Sequence, residues 1–315
     1  MRAKKKIMVF IVLVCAGGLL YAMLHLYVNG KHDADRQAEA STETFTDRMA
    51  EVSEDIDTED EQGMELSAAE SDQDTESGIS DKENTTEVSQ AAFIQSEYQR
   101  IMELPAGNMA VEGMVSDELI NRLFFANAID DTLLARINGY SYTSNDTVGV
   151  NDLSYLRMLY YGSDGNTYVG EMIVNWKIAD KVLEIFQKLY ENQYPIEKMV
   201  LIDTYHAEDE ASMSDNNTSA FNYRPIAGSK KLSKHSYGLA IDLNPKYNPY
   251  VKTAFDGTTI CQPENGRSYI DRSLDFAYKI DENDLAYQLF TEAGFTWGGH
   301  WNSLKDYQHF EYDAN

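Results

Sequence analysis

Ser233-Lys-His-Ser-Tyr-Gly-Leu-Ala-Ile-Asp-Leu-Asn-Pro245 decides how the rest of the chain is read, because it sets an imidazole and a carboxylate seven residues apart across a glycine. Ile241 and Leu243 alternate with Ala240, Asp242 and Asn244, so Gly238 to Asn244 predicts a short strand with an apolar face and a second face carrying Asp242. Pro245 has no N–H to give a ladder and ends it. His235 precedes the strand in a predicted turn, where Gly238 lets the backbone bend so that His235 swings to the side where Asp242 points. The result is a pair of groups able to share one metal ion.

An imidazole near a carboxylate is ordinary surface chemistry, and a catalytic zinc site needs a third protein ligand with the fourth position open to water. His309 is the best candidate: His309-Phe-Glu-Tyr312 reads as a closing strand, with His309 and Glu311 on one face, able to pair beside the Asp242 strand. His206 and His300 remain alternatives, although neither has an acid at a base-like spacing in so compact a motif; His25 and His32 fall in an apolar run and an acidic spacer. Two imidazoles and one carboxylate suit zinc, whereas magnesium and calcium favour all-oxygen shells. Asp306, three residues before His309, is the candidate base for the attacking water; Glu311 competes, but a carboxylate so close to a ligand more commonly orients an imidazole. Arg224 is either a clamp for a substrate carboxylate or oxyanion, or half of a structural salt bridge. Trp297 and Trp301 read as core or cleft wall, and Tyr237 as packing or a cleft hydroxyl.

Working outward, the 315 residues carry a formal net charge of -26, which excludes nucleic acid as a partner. Much of the acid crowds between Asp33 and Glu87, so the charge describes a linker more than a substrate. Arg2, Lys4, Lys5 and Lys6 form a basic flank (1–6) before an uncharged apolar run, 7–28, long enough for a transmembrane anchor of about 20 residues. The flank predicts a cytoplasmic N-terminus and an extracytoplasmic remainder; the rival, a cleaved signal peptide, lacks an Ala-x-Ala site. Residues 29–90 are rich in Glu, Asp, Ser, Thr and Gln and read as a disordered acidic spacer. Cys15 lies within the apolar run and Cys261 far downstream, so a disulfide would need a membrane-buried thiol to reach an outside one, and none is expected.

Order is expected from Ala91. Ser116-Asp-Glu118 opens a predicted helix with its acids at the N-terminus, and Tyr155–Tyr161 and Thr167–Met172 flank a hairpin turn. Ile173, Trp176, Ala179, Val182, Phe186 and Leu189 recur at helical spacing, Lys198–Tyr205 reads as a buried strand, Lys246 to about Arg272 as a long loop, and Asp284–Ala293 as a final helix. The fold class is α+β, a small mainly antiparallel sheet with flanking helices, divided into an N-terminal part, 91–149, and a main domain, 150–315.

Ser233-x-His235-x-x-Gly238-x-Ala240-x-Asp242-x-Asn244-Pro245, followed by Trp297-Gly-Gly-x-Trp301 and Asp306-x-x-His309-Phe310, resembles the D-alanyl-D-alanine carboxypeptidase-like zinc peptidases. These include vancomycin-resistance carboxypeptidases and L-alanyl-D-glutamate endopeptidases. Asn217-Thr-Ser-Ala-Phe-Asn-Tyr-Arg224 is similar to the family's run before its first ligand, and the likeness extends over most of 150–315. It implies that His235, Asp242 and His309 bind Zn2+, that Asp306 is the base, that Arg224 contacts substrate, and that the partner is the peptidoglycan stem peptide. An aspartate at 306 is like the endopeptidase branch, whereas the carboxypeptidases tend to have glutamate. The expectation is a membrane-anchored zinc metallopeptidase; the alternative is a catalytically inactive peptidoglycan-binding module of the same fold.

Overall fold

The structure, a computed structural model, describes residues 77–314. The predicted span 7–28 and the spacer as far as residue 76 lie outside them, and among the described residues no helix is long and apolar enough to cross a membrane. In order, the elements are α1 (Ser77–Glu103), β1 (Met109–Val111), α2 (Asp117–Leu123), β2 (Phe125–Ala128), α3 (Asp131–Ile137), β3 (Leu153–Tyr161), β4 (Thr167–Asn175), α4 (Ala179–Glu191) and α5 (Asp209–Ser214). They continue as β5 (Ala240–Asp242), β6 (Tyr250–Thr253), β7 (Thr259–Gln262), α6 (Leu285–Glu292), β8 (Thr296–Trp297), β9 (Lys305–Asp306) and β10 (His309–Glu311). The class is α+β as expected, but the strands form three sheets: β1-β4-β3-β2, β5-β10-β8 and β7-β6-β9, every paired strand antiparallel to its neighbour.

The β3–β4 hairpin is buried on both faces, which is why its strands carry near-continuous apolar runs. Leu156 and Met158 on β3, with Met172 and Val174 on β4, join Val182, Phe186 and Leu189 of α4 and Phe290 of α6 in the main core, which continues into Ile241 and Phe310 of the small ligand-bearing sheet. Leu159 and Val169, on the opposite face, pack with Ile94 and Ile101 of α1 and Leu119 and Ile120 of α2. Arg157 points to that side and donates to the carbonyls of Ile101, Met102 and Leu104, satisfying the orphaned C-terminus of α1 with a cation.

Several expectations are corrected. Residues 91–149 supply β1 and β2, the two edges of the four-stranded sheet. α1 begins at Ser77, inside the predicted spacer: once Ile94 and Ile101 anchor its C-terminal half, each further residue adds a hydrogen bond at little cost, and polar composition does not stop the helix. Ile173 belongs to β4, and Trp176 is exposed in a 3-10 turn; the helix starts only at Ala179. Lys198–Tyr205 is not a strand. The Asn217 side chain supplies what a neighbouring strand would have, accepting from the Val200 N–H (2.9 Å) and donating to the Val200 carbonyl (3.0 Å), and Ile202–Tyr205 closes into a 3-10 turn. The predicted loop after Lys246 contains the β6–β7 hairpin, whose side chains alternate too weakly in polarity to signal it. The predicted final helix is α6, with the Asp284 carboxylate capping the N–H groups of Ala286 and Tyr287.

Candidate active site

His235 is held by a 3-10 turn, Lys234–Tyr237, whose first free N–H, that of His235, donates to the Ser233 hydroxyl. The turn closes at Gly238 with φ of 65°, the left-handed conformation its motif anticipates. Gly238 also lies against the end of β4: its carbonyl accepts from the Asn175 N–H at 2.8 Å, and a Cβ there would stand 2.5 Å from that nitrogen. The buried imidazole turns its Nδ1 to the Ala220 carbonyl at 2.6 Å. A carbonyl only accepts, so Nδ1 carries the proton and Nε2 presents its lone pair to the interior of the site. Ala220 is fixed in turn by its neighbours, Ser219 bridging Asp242 through two backbone hydrogen bonds and Phe221 donating to Ile173 of β4.

β10 lies antiparallel to β5 with His309 directly opposite Asp242, the pairing expected from sequence. His309 Nδ1 stands 3.0 Å from Asp242 Oδ1, His235 Nε2 stands 3.3 Å from Asp242 Oδ2, and the two ring nitrogens are 3.2 Å apart. Zinc bonds of about 2.0–2.1 Å at tetrahedral angles put neighbouring ligand atoms about 3.3 Å apart, a spacing close to these three contacts, in which each imidazole meets a different oxygen of Asp242. The electrostatics agree. Burial alone would pull His309 down, yet its hydrogen bonds to Asp242 and Glu311 push it up to about 10, while both imidazoles hold Asp242 well below the carboxylate range against burial. The pocket thus stabilises positive charge between its ligand atoms. Glu311 Oε2, at 3.3 Å from His309 Nε2, orients the ring from behind.

Asp306 comes from a different sheet, on β9 opposite Tyr250 of β6, and shares with the three ligand candidates one cleft of about 440 Å³. Its Oδ1 is sealed from solvent with no hydrogen-bond partner, and desolvation pushes the carboxyl up to about 7, the two imidazoles opposing and Asp242 adding to the rise. Gly298 explains how Asp306 and His309 come so close to the Trp-Gly-Gly segment. A Cβ on it would lie 2.6 Å from the Asp306 carbonyl oxygen and 3.3 Å from His309 Cβ. Trp301 walls the cleft with its ring 5.3 Å from that of His309, whereas Trp297 is core, its indole N–H donating to the Tyr307 carbonyl. Tyr237 and Arg224 also line the cleft, the latter ion-paired with Asp209.

The remaining histidines are elsewhere: His206 caps a 3-10 turn beside the Tyr140 ring, and His300 is ion-paired with Glu282 at 3.0 Å. His25 and His32 lie outside the described residues. The sequence motifs contain Asn217, Ala220 and Gly298 without giving any of them a role, and Gln308 stands in them as an unspecified position. Only the two glycines of the Trp-Gly-Gly segment carried a signal, as a place where backbone comes near another chain segment.

The family model described as D-alanyl-D-alanine carboxypeptidase matches residues 227–312. That segment is similar to the D-alanyl-D-alanine carboxypeptidase family. It contains His235, Asp242, Asp306 and His309, and Arg224 stands just ahead of it. The matched segment therefore spans both strands of the β5–β10 pair and the β6–β9 pair, while the four-stranded sheet that supports them precedes it. No curated protein and no solved structure matches the chain.

Proposed function

We propose that this chain is a zinc peptidase that hydrolyses a peptide bond in the stem peptide of peptidoglycan, held at the outer face of a bacterial membrane by residues 7–28. The observation that carries the reading is the convergence of His235 Nε2, Asp242 and His309 Nδ1, within 4.8 Å of one another, in a segment similar to the carboxypeptidase family. These three would hold Zn2+, which when bound supplies Lewis acidity toward the scissile carbonyl and an acidified water. Asp306 would take the proton of the attacking water and return it to the leaving nitrogen; a carboxyl raised toward neutral pH by burial is suited to both transfers. Glu311 and the Ala220 carbonyl keep the two imidazoles in the tautomer and orientation that ligation needs. Arg224, on the cleft wall, meets a substrate carboxylate, exchanging part of its pairing with Asp209.

Aspartate at 306 favours the L-Ala–D-Glu bond over the D-Ala–D-Ala bond. Incubating the chain with purified muropeptides and reading products by mass spectrometry identifies the bond. Stoichiometric zinc with no cleavage of any muropeptide sinks the peptidase reading in favour of a wall-binding module.

A further inference from the structure

Gln308 is the residue between base and ligand for which the mechanism above has no use. Its backbone carbonyl accepts from the Leu243 N–H at 3.0 Å, which fixes the main chain beside β5. The side chain is 1% exposed and lines the catalytic cleft, yet its Oε1 is a buried acceptor without a hydrogen-bond partner. Two residues before it in the chain, Asp306 Oδ1 is the second buried acceptor in that cleft with nothing to accept from. A buried, unpaired carbonyl oxygen costs about 1–3 kcal/mol. Two of them on one wall are retained where a donor arrives with the substrate.

We infer that Gln308 Oε1 is the acceptor for the N–H of the scissile amide, binding it beside Asp306 as nitrogen becomes the leaving group. The inference rests on the peptidase reading of the same site. Hydrolysis forms a C–O bond at the carbonyl carbon and breaks the C–N bond. The electron pair of that bond stays on nitrogen, and the proton passed through Asp306 converts it to an amine. The amide N–H faces Gln308 from the Michaelis complex onward, and its hydrogen bond strengthens as the nitrogen pyramidalises and gains the proton. The polar pair therefore recognises a substrate class: a bond whose nitrogen bears hydrogen. An ester oxygen offers Gln308 nothing, and the nitrogen of an imino acid such as proline cannot donate.

The test compares an amide with its ester analogue in full-length protein. Whichever bond the wild-type chain cuts is prepared both ways, D-Ala–D-Ala against D-Ala–D-lactate or L-Ala–D-Glu against its D-2-hydroxyglutarate ester. kcat/KM is then measured for wild type, Gln308→Met and Gln308→Leu, with bound zinc counted in each. The amide-to-ester ratio is independent of the fraction of active enzyme, so partial misfolding does not blur it. The expected result is a fall of about tenfold or more in that ratio for both variants, with the ester rate within about threefold of wild type. An unchanged ratio, whether both rates fall together or neither falls, overturns the inference. Failure of the wild-type chain to cut either substrate would instead remove the peptidase reading itself.

Discussion

His309 and Asp242 face each other as Cα partners across the β5–β10 pair, and their side chains meet at 3.0 Å. Because side chains alternate between sheet faces, a slip of one residue in this pairing would send His309 to the far side and leave His235 and Asp242 without a third ligand. Phe310, the next residue on β10, is paired with Ile241, buried and stacked on Phe290, and locks it.

Removing one member of the ligand trio should therefore abolish metal uptake while the fold remains. His309→Ala is expected to lose stoichiometric zinc and at least about a thousandfold of kcat/KM, with far-ultraviolet circular dichroism unchanged. Elemental analysis of the purified variant checks it; full zinc occupancy would contradict the assignment.

Chelation should unfold the chain earlier as well as stop turnover. A ligand that binds only the folded state stabilises it by about 2.7 kcal/mol at a hundredfold excess over Kd. Thermal melts in chelator and then in restored zinc should thus differ by several degrees, reversibly, and activity should return with the melt.

Asp306→Asn removes the proton acceptor and leaves all three ligand candidates in place. Zinc content should stay at wild-type level while kcat falls by about a hundred- to ten-thousandfold. Glu311→Gln, by contrast, is expected to weaken zinc affinity by about ten- to a hundredfold with a smaller change in kcat at saturating metal. The reverse pattern would assign the base to Glu311.

Gly298→Ala is expected to harm activity out of proportion to stability. The new methyl would meet the Asp306 backbone at 2.6 Å and the His309 Cβ at 3.3 Å, displacing base and ligand together. Gly238→Ala has the opposite balance. It must adopt a φ of 65° and push on the Asn175 backbone nitrogen at 2.5 Å, so it should cost about 2 kcal/mol or more in chemical denaturation.

Asp284 gives a pH-dependent stability away from the site. Burial raises its carboxyl to about 6, above the unfolded value near 3.9, so the folded state binds the proton more tightly. The associated stability is complete below about pH 4 and is lost as pH rises through about 6. Asp284→Asn keeps an acceptor for the Ala286 and Tyr287 N–H groups without the buried charge. The variant should be more stable than wild type by about 1–3 kcal/mol at pH 8, the gap closing by pH 4; urea melts at the two pH values measure it.

The legible parts of the molecule were those in which local pattern and long-range need coincide. Gly238 had to bend, Pro245 had to stop, and His309 and Glu311 had to share a face; a strand pair that sets His309 against Asp242, with His235 beside them, is readable from those residues. The β3–β4 hairpin and α6 carried strong turn and cap chemistry and were equally readable. Lys198–Tyr205 was not, since an apolar run says that a segment is buried without saying whether its backbone partners are a strand or the side chain of Asn217. The contribution of residues 91–149 was hidden for a related reason. β1 and β2 are three and four residues long, and only their pairing with β4 and β3 makes them strands. Gln308 could not be singled out at all, because an unsatisfied oxygen is a property of surroundings, not of a sequence position.

The candidate base and two of the candidate metal ligands ride on different sheets: Asp306 is paired to β6, while Asp242 and His309 are paired to each other. Each can consequently be adjusted without re-registering the other. A side chain one methylene longer at position 306 alters reach toward the substrate while the β5–β10 ladder stays put, and a small slide of the β6–β9 pair does the same by another route. Such a division lets the reach of residue 306 into the cleft change while the strands that carry Asp242 and His309 stay unaltered.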